Sequence, residues 1–135
     1  MKKALSLGCV ALLAMTAAAR ADDMAPAICA LEQTIACSPF EECERSLPGA
    51  VNLPVLMRVD PAAGVIVSRT EAGAERRSAI ASTSVSGDDL MLTGTDEGNP
   101  WSLRASTVTG RFSLVVLHAD ATFIGFGVCS RSLLQ

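Results

Sequence analysis

The sequence contains no tyrosine, one tryptophan, four phenylalanines and a single histidine. A core this poor in rings has to be built from Val, Leu, Ile, Met and Ala, which each bring less buried area than an aromatic side chain. Lysine occurs only as Lys2 and Lys3, and every later basic residue is an arginine. The chain has no Gly-x-Ser-x-Gly, no Cys-x-x-Cys and no spaced Asp-x-Asp-x-Asp-Gly loop. Those absences exclude the strand-to-helix serine elbow, the low-pKa thiol exchange motif and the EF-hand. After residue 21 no apolar run reaches the roughly 20 residues that a membrane-spanning helix needs.

What is present begins with a leader. Met1-Lys2-Lys3 is a short basic segment, Ala4 to Ala19 is an uncharged apolar run, and Ala19-Arg20-Ala21 is a small-x-small cleavage site before Asp22-Asp23. This is the pattern of a bacterial secretory signal, so residues 1–21 are expected to be removed on export to a periplasmic or secreted location. Lipid attachment at Cys9 is the rival reading, but the apolar run before it is only about five residues against the usual 7 to 15.

Export changes the charge. Losing Lys2, Lys3 and Arg20 takes eleven basic residues to eight against fourteen acidic ones, a formal charge of −6. A nucleic-acid partner needs a basic face. Here the eight arginines are scattered, with only Arg76 and Arg77 adjacent.

Export also settles the cysteine count. Cys9 leaves, and Cys29, Cys37, Cys43 and Cys129 remain, an even set in an oxidising compartment. A zinc site wants pairs two to four residues apart, whereas these gaps are seven, five and eighty-five residues. Four cysteines allow three pairings. The favoured one joins Cys37 to Cys43 across a local loop and Cys29 to Cys129 across the domain; Cys29 to Cys37 with Cys43 to Cys129 competes with it.

Residues 22–26 read as a flexible N-terminus, and 27–135 as a single domain of short strands. Ala27 to Cys37 fits a strand, with Cys29, Leu31, Ile35 and Cys37 on one parity, although Ile28, Leu31, Glu32 and Ile35 also share a helix face. Leu53 to Val59 alternates, Asp60 to Gly64 turns, and Val65 to Val67 returns. Arg77 to Val85 and Leu90 to Thr95 flank a turn at Ser86 to Asp89. Asp96 to Pro100 reads as a loop, followed by strands at Trp101 to Thr109, Arg111 to Leu117 and Thr122 to Cys129. Turn signals every 8 to 12 residues are the rhythm of an all-β sandwich or barrel. The expected fold is an antiparallel meander of about seven to eight short strands with two disulfides, forming a small barrel or a two-layer sheet. Val55, Val115, Leu117, Phe123 and Val128 are expected in its core. Gly125 and Gly127 suggest a bend or a close backbone approach.

Candidate chemistry is sparse. His118, with Asp120 two residues on, sits in a turn without the spacing of a triad. Asp88-Asp89 and Asp96-Glu97 with Asn99 read more simply as solvated turns than as calcium ligands. Glu41, Glu42 and Glu44 read as an exposed acidic face. Met57 and Met91 read as core filling. Trp101, directly after Pro100, lines a ligand cavity or plugs a barrel end, with plugging preferred. No catalytic residue, cofactor site or metal site is expected. Binding, if loop-mediated, falls to Asp96, Glu97, Asn99 and Trp101, or to the disulfide-tied Ser38 to Glu42.

The signal, the clustered Cys29, Cys37 and Cys43, and the closing Gly127-Val128-Cys129 together resemble small uncharacterised periplasmic β-proteins of bacteria, across the whole exported chain. The resemblance implies a small β domain and no particular activity. Barrel-shaped periplasmic inhibitors of lysozyme or of secreted proteases are similar in size and class. Three functions follow, in descending order: a non-catalytic module binding an envelope protein or a small apolar ligand, a hydrolase inhibitor, and an enzyme.

Overall fold

Alternation of apolar and polar residues builds strands because successive side chains point to opposite faces. A computed structural model describes residues 24–130 and contains nine strands: β1 (Ala27–Cys37), β2 (Glu44–Ser46), β3 (Leu56–Asp60), β4 (Val65–Arg69), β5 (Glu75–Ser86), β6 (Asp89–Asp96), β7 (Asn99–Ser106), β8 (Arg111–Leu117) and β9 (Thr122–Cys129). A 3-10 turn at Pro48–Val51 is the one helical segment among the described residues. The proposed leader and residues 22–23 lie outside the described residues.

Strands β3 to β9 pair each with the next, antiparallel, as short connections require. Strand β1 closes the ring by pairing with β9 along Cys29 to Cys37 and with β3 along Ala27 to Ala30. The result is an eight-stranded antiparallel barrel, to which β2 adds an extra strand beside Thr34 to Ala36 of β1. Both disulfides of the favoured pairing are present, Cys29–Cys129 and Cys37–Cys43. Cys29 and Cys129 stand directly opposite each other on the two strands that close the barrel.

The core is aliphatic, as the composition requires. Val59, Leu90, Leu92 and Leu103 are fully buried, with Leu31, Met57, Trp101 and Phe112 close to it. Met24 is also buried, so the segment expected to be flexible sends one side chain into the core. Gly125 and Gly127 mark close approaches: a Cβ at Gly125 would stand 2.6 Å from Leu31 Cδ1, and one at Gly127 would stand 2.7 Å from Phe112 Cε1. Large residues facing glycines fill a narrow barrel without strain.

The expected core list is corrected. Val55 is 56% exposed, Leu117 50% and Val128 40%, while Val115 and Phe123 are half-buried. In β8 both parities are apolar, and the ladder decides between them: Leu114 lies opposite Leu103 of β7 and Gly125 of β9, which turns Phe112 and Leu114 inward and Val115 and Leu117 outward. Val55 precedes its strand, which starts at Leu56.

The loop expected over Asp96 to Pro100 is also corrected. Asp96 and Asn99 are paired ends of β6 and β7, and Pro100 lies in β7 opposite Thr95. Only Glu97 and Gly98 turn the chain, at φ 50° and 83°. Two consecutive positive φ values are the signature of the tight hairpin turn whose twist matches its strands.

Candidate functional site at the open end of the barrel

Strand register determines which polar residues look inward. Arg76 of β5 lies opposite Ser68 of β4, and Ser78 lies opposite the buried Ile66. On the neighbouring hairpin Asp96 lies opposite Asn99, one inward step beyond the Gly94–Trp101 pair. These side chains meet at the end of the barrel marked by the β6–β7 turn, where they line a cavity of about 70 Å³.

Arg76 organises the charge there. Its Nη2 pairs with Asp96 Oδ2 at 2.5 Å. Its Nη1 donates to the Asn52 carbonyl at 3.5 Å. Asn52 belongs to a strap between β2 and β3, folded on itself by Leu53 N donating to the Pro48 carbonyl at 2.9 Å. Asn52 holds a left-handed conformation at φ 56°, a geometry that asparagine tolerates better than most residues. The strap's Leu53 and Pro54 form part of the cavity wall.

Two polar atoms in this wall have no partner. Arg76 Nε and Trp101 Nε1 are buried without a hydrogen bond. Buried donors are nearly always satisfied, and leaving one unmade costs about 1 to 3 kcal/mol. Trp101 is only 6% exposed. Its ring is held over Gly94, where a Cβ would stand 2.6 Å from Trp101 Cζ2.

Outside the cavity lies a groove of about 550 Å³ between the strap, β3, β4 and the start of β5. Leu53, Pro54, Met57, Ser68 and Arg76 line both spaces, so the groove adjoins the cavity. Together they have the size and mixed lining typical of small-molecule sites.

Of the residues expected to bind, Asp96, Asn99 and Trp101 come together in the cavity wall, and Glu97 sits exposed on the turn. Arg76, Ser68, Leu53 and Pro54 were not anticipated. The parity of β5, with Arg76, Ser78 and Ile80 on one face, carries a weak signal for Arg76, obscured because the opposite face is equally rich in small polar residues. The remaining candidates lie elsewhere. His118 is exposed, its ring edge-on to Phe123 at 6.3 Å. Asp89 pairs with Arg104 at 2.6 Å on the surface. Hydrogen bonding to Asp89 holds the Arg104 guanidinium above its ordinary pKa. Asp88 offers its backbone carbonyl to Thr107. Glu41, Glu42 and Glu44 are exposed around the Cys37–Cys43 loop, whose tip residue Phe40 is fully exposed at φ 66°. Among the described residues no three His, Cys, Asp or Glu side chains gather as metal ligands.

The fold and this end cavity define a disulfide-closed antiparallel β-barrel with a strapped mouth. No protein-family model, curated protein or solved structure matches the chain.

Proposed function

We propose that this protein is an exported, non-catalytic binding module that takes a small, largely apolar ligand into the mouth of its barrel. The observation that carries this reading is a cavity of about 70 Å³ at the barrel end, walled by aliphatic side chains around the Arg76–Asp96 pair and adjoining a groove of about 550 Å³. Binding is favoured over catalysis because the wall brings together serine hydroxyls, an amide and an ion pair, while the single histidine lies exposed in the β8–β9 turn. Nucleophilic or general-base chemistry needs a base within hydrogen-bond reach of its partner.

Export is supported by the leader and by two disulfides, which persist in oxidising compartments. Among the described residues no helix is long and apolar enough to cross a membrane. Intact mass of the exported product should correspond to a chain starting at Asp22, and a lipid on Cys9 would overturn that start. For binding, isotope-labelled protein is screened against small molecules while the methyl signals of Leu114 and Val116 are followed. A ligand class that shifts them supports the module; a library that leaves them unmoved refutes the cavity as its site.

A second reading rests on Phe40. A bulky side chain in the left-handed region at the tip of a disulfide-tied loop is a preorganised, exposed anchor of the kind a hydrolase inhibitor presents. Inhibition of lysozyme or of secreted proteases that disappears with Phe40→Ala would favour it.

A further inference from the structure

The outer wall of the barrel is not uniform. Ile28, Leu56, Val115, Leu117, Phe126 and Val128 all point outward from the adjacent strands β3, β1, β9 and β8, and Ile28 is 53%, Phe126 44% and Val128 40% exposed. The outward positions of β5 and β7 are instead polar, among them Arg77, Ser82, Ser84, Ser102 and Arg104. A wall that is apolar on one side only has the character of a docking face. We propose that this face, centred on β9, pairs with the same face of a second copy of the chain about a twofold axis. The proposal is independent of the end cavity.

The placement of charge identifies the occupant. Strands β1, β9 and β8 hold just two charged residues, Glu32 on β1 and Arg111 on β8. Both are exposed, and the ion pairs among the described residues use neither. Register fixes where they stand. Arg111 lies opposite Val128, and Val128 opposite Ala30, so Arg111 is one strand to one side of β9. Glu32 is one strand to the other side, two residues beyond Ala30, where the β1 bulge between Leu31 and Gln33 leaves it exposed. A closed twofold interface has to be complementary to itself, because one patch serves both copies. An axis lying in the interface and crossing β9 obliquely, from Ile28 past Val128 and Phe126 to Val115, meets that condition. Side chains along the axis meet their own copies, which suits apolar residues. Glu32 and Arg111 fall on opposite sides of it, so each faces the other residue in the second copy. An apolar spine then runs between two salt bridges. A partner of one charge sign would match one of the two residues and oppose the other, whereas a second copy matches both.

Sedimentation velocity of the exported chain over a concentration series tests this. A monomer-to-dimer equilibrium is expected with a dissociation constant of about 10 to 100 µM, because two convex walls bury an area at the low end of specific interfaces. Glu32→Arg or Arg111→Glu sets like charges face to face at both bridges and should weaken the dimer at least about tenfold. An equimolar mixture of these two variants should recover wild-type association, because both bridges then again join an arginine to a glutamate. Val128→Glu, on the axis, should abolish the dimer. All three variants change exposed side chains, so their melting temperatures in dilute solution should match the wild type. A chain that stays monomeric at about 1 mM would overturn the proposal. So would a dimer indifferent to both charge reversals, or a mixture that stays monomeric, since either places the contact elsewhere. A monomer that co-sediments with phosphatidylglycerol vesicles, and loses them with Val128→Glu, would overturn it by making the face a lipid contact.

Discussion

Gly94 and Trp101 are direct partners across β6 and β7, and the indole ring occupies the space a Gly94 side chain would need. The absence of one side chain thus fixes the orientation of another, and with it the direction of the Trp101 N–H. Gly94→Ala should force the ring away, since the added carbon would also meet the Ala79 carbonyl oxygen. A loss of about 1 to 3 kcal/mol is expected from overpacking, together with a changed tryptophan emission spectrum. Wild-type stability and emission in the variant would show that the ring is free to move.

The two disulfides should differ in worth. The Cys29–Cys129 bridge spans 100 residues and the Cys37–Cys43 bridge six. Chain-entropy arguments give about 4 to 5 kcal/mol for the first and about 2 kcal/mol for the second. Urea unfolding of the paired Cys→Ala variants should rank them in that order. Peptide mapping without reduction should recover Cys29 joined to Cys129; a peptide joining Cys43 to Cys129 would contradict the closure of the barrel at β1 and β9.

Core truncation distinguishes the two faces of the wall. Leu92→Ala or Leu103→Ala should cost about 2 to 5 kcal/mol, because both side chains are fully buried. Leu117→Ala and Val128→Ala, on the outer face, should cost less than about 1 kcal/mol. Equal losses by thermal denaturation would mean that the outer face is covered in the protein as purified.

Two ion pairs provide a contrast. Arg76–Asp96 lies mostly out of solvent in the cavity wall, with side chains 24% and 18% exposed, whereas Arg104–Asp89 stands on the surface. Asp96→Asn removes the charge that balances a partly buried guanidinium and should lower stability by about 1 to 3 kcal/mol. Asp89→Asn should leave the melting temperature unchanged, since exposed pairs are screened by water and salt. Equal effects of the two substitutions would remove the special standing of Arg76.

Much of the architecture was legible from residue order alone. Alternation and turn residues placed every strand of the barrel to within a few positions, because a pleated strand exposes its period directly. The three residues Glu44–Ser46 of β2 were too short and too polar to show any period. The even cysteine set and the meander also pointed to the Cys29–Cys129 bridge, since a ring is the arrangement that brings its first and last strands together.

Facing was another matter. Alternation separates two faces without saying which is inside, and Leu114-Val115-Val116-Leu117 offers apolar residues to both. Only ladder register decides, by setting Leu114 beside Leu103 and Gly125, where a large side chain has room. The candidate site depended on the same decision. Asp96, Asn99 and Trp101 were visible as neighbours in the sequence, but Arg76 joins them from another strand, and Leu53 and Pro54 from a strap, only once the barrel closes. Chain order determines the local faces; closure determines which distant faces share one interior.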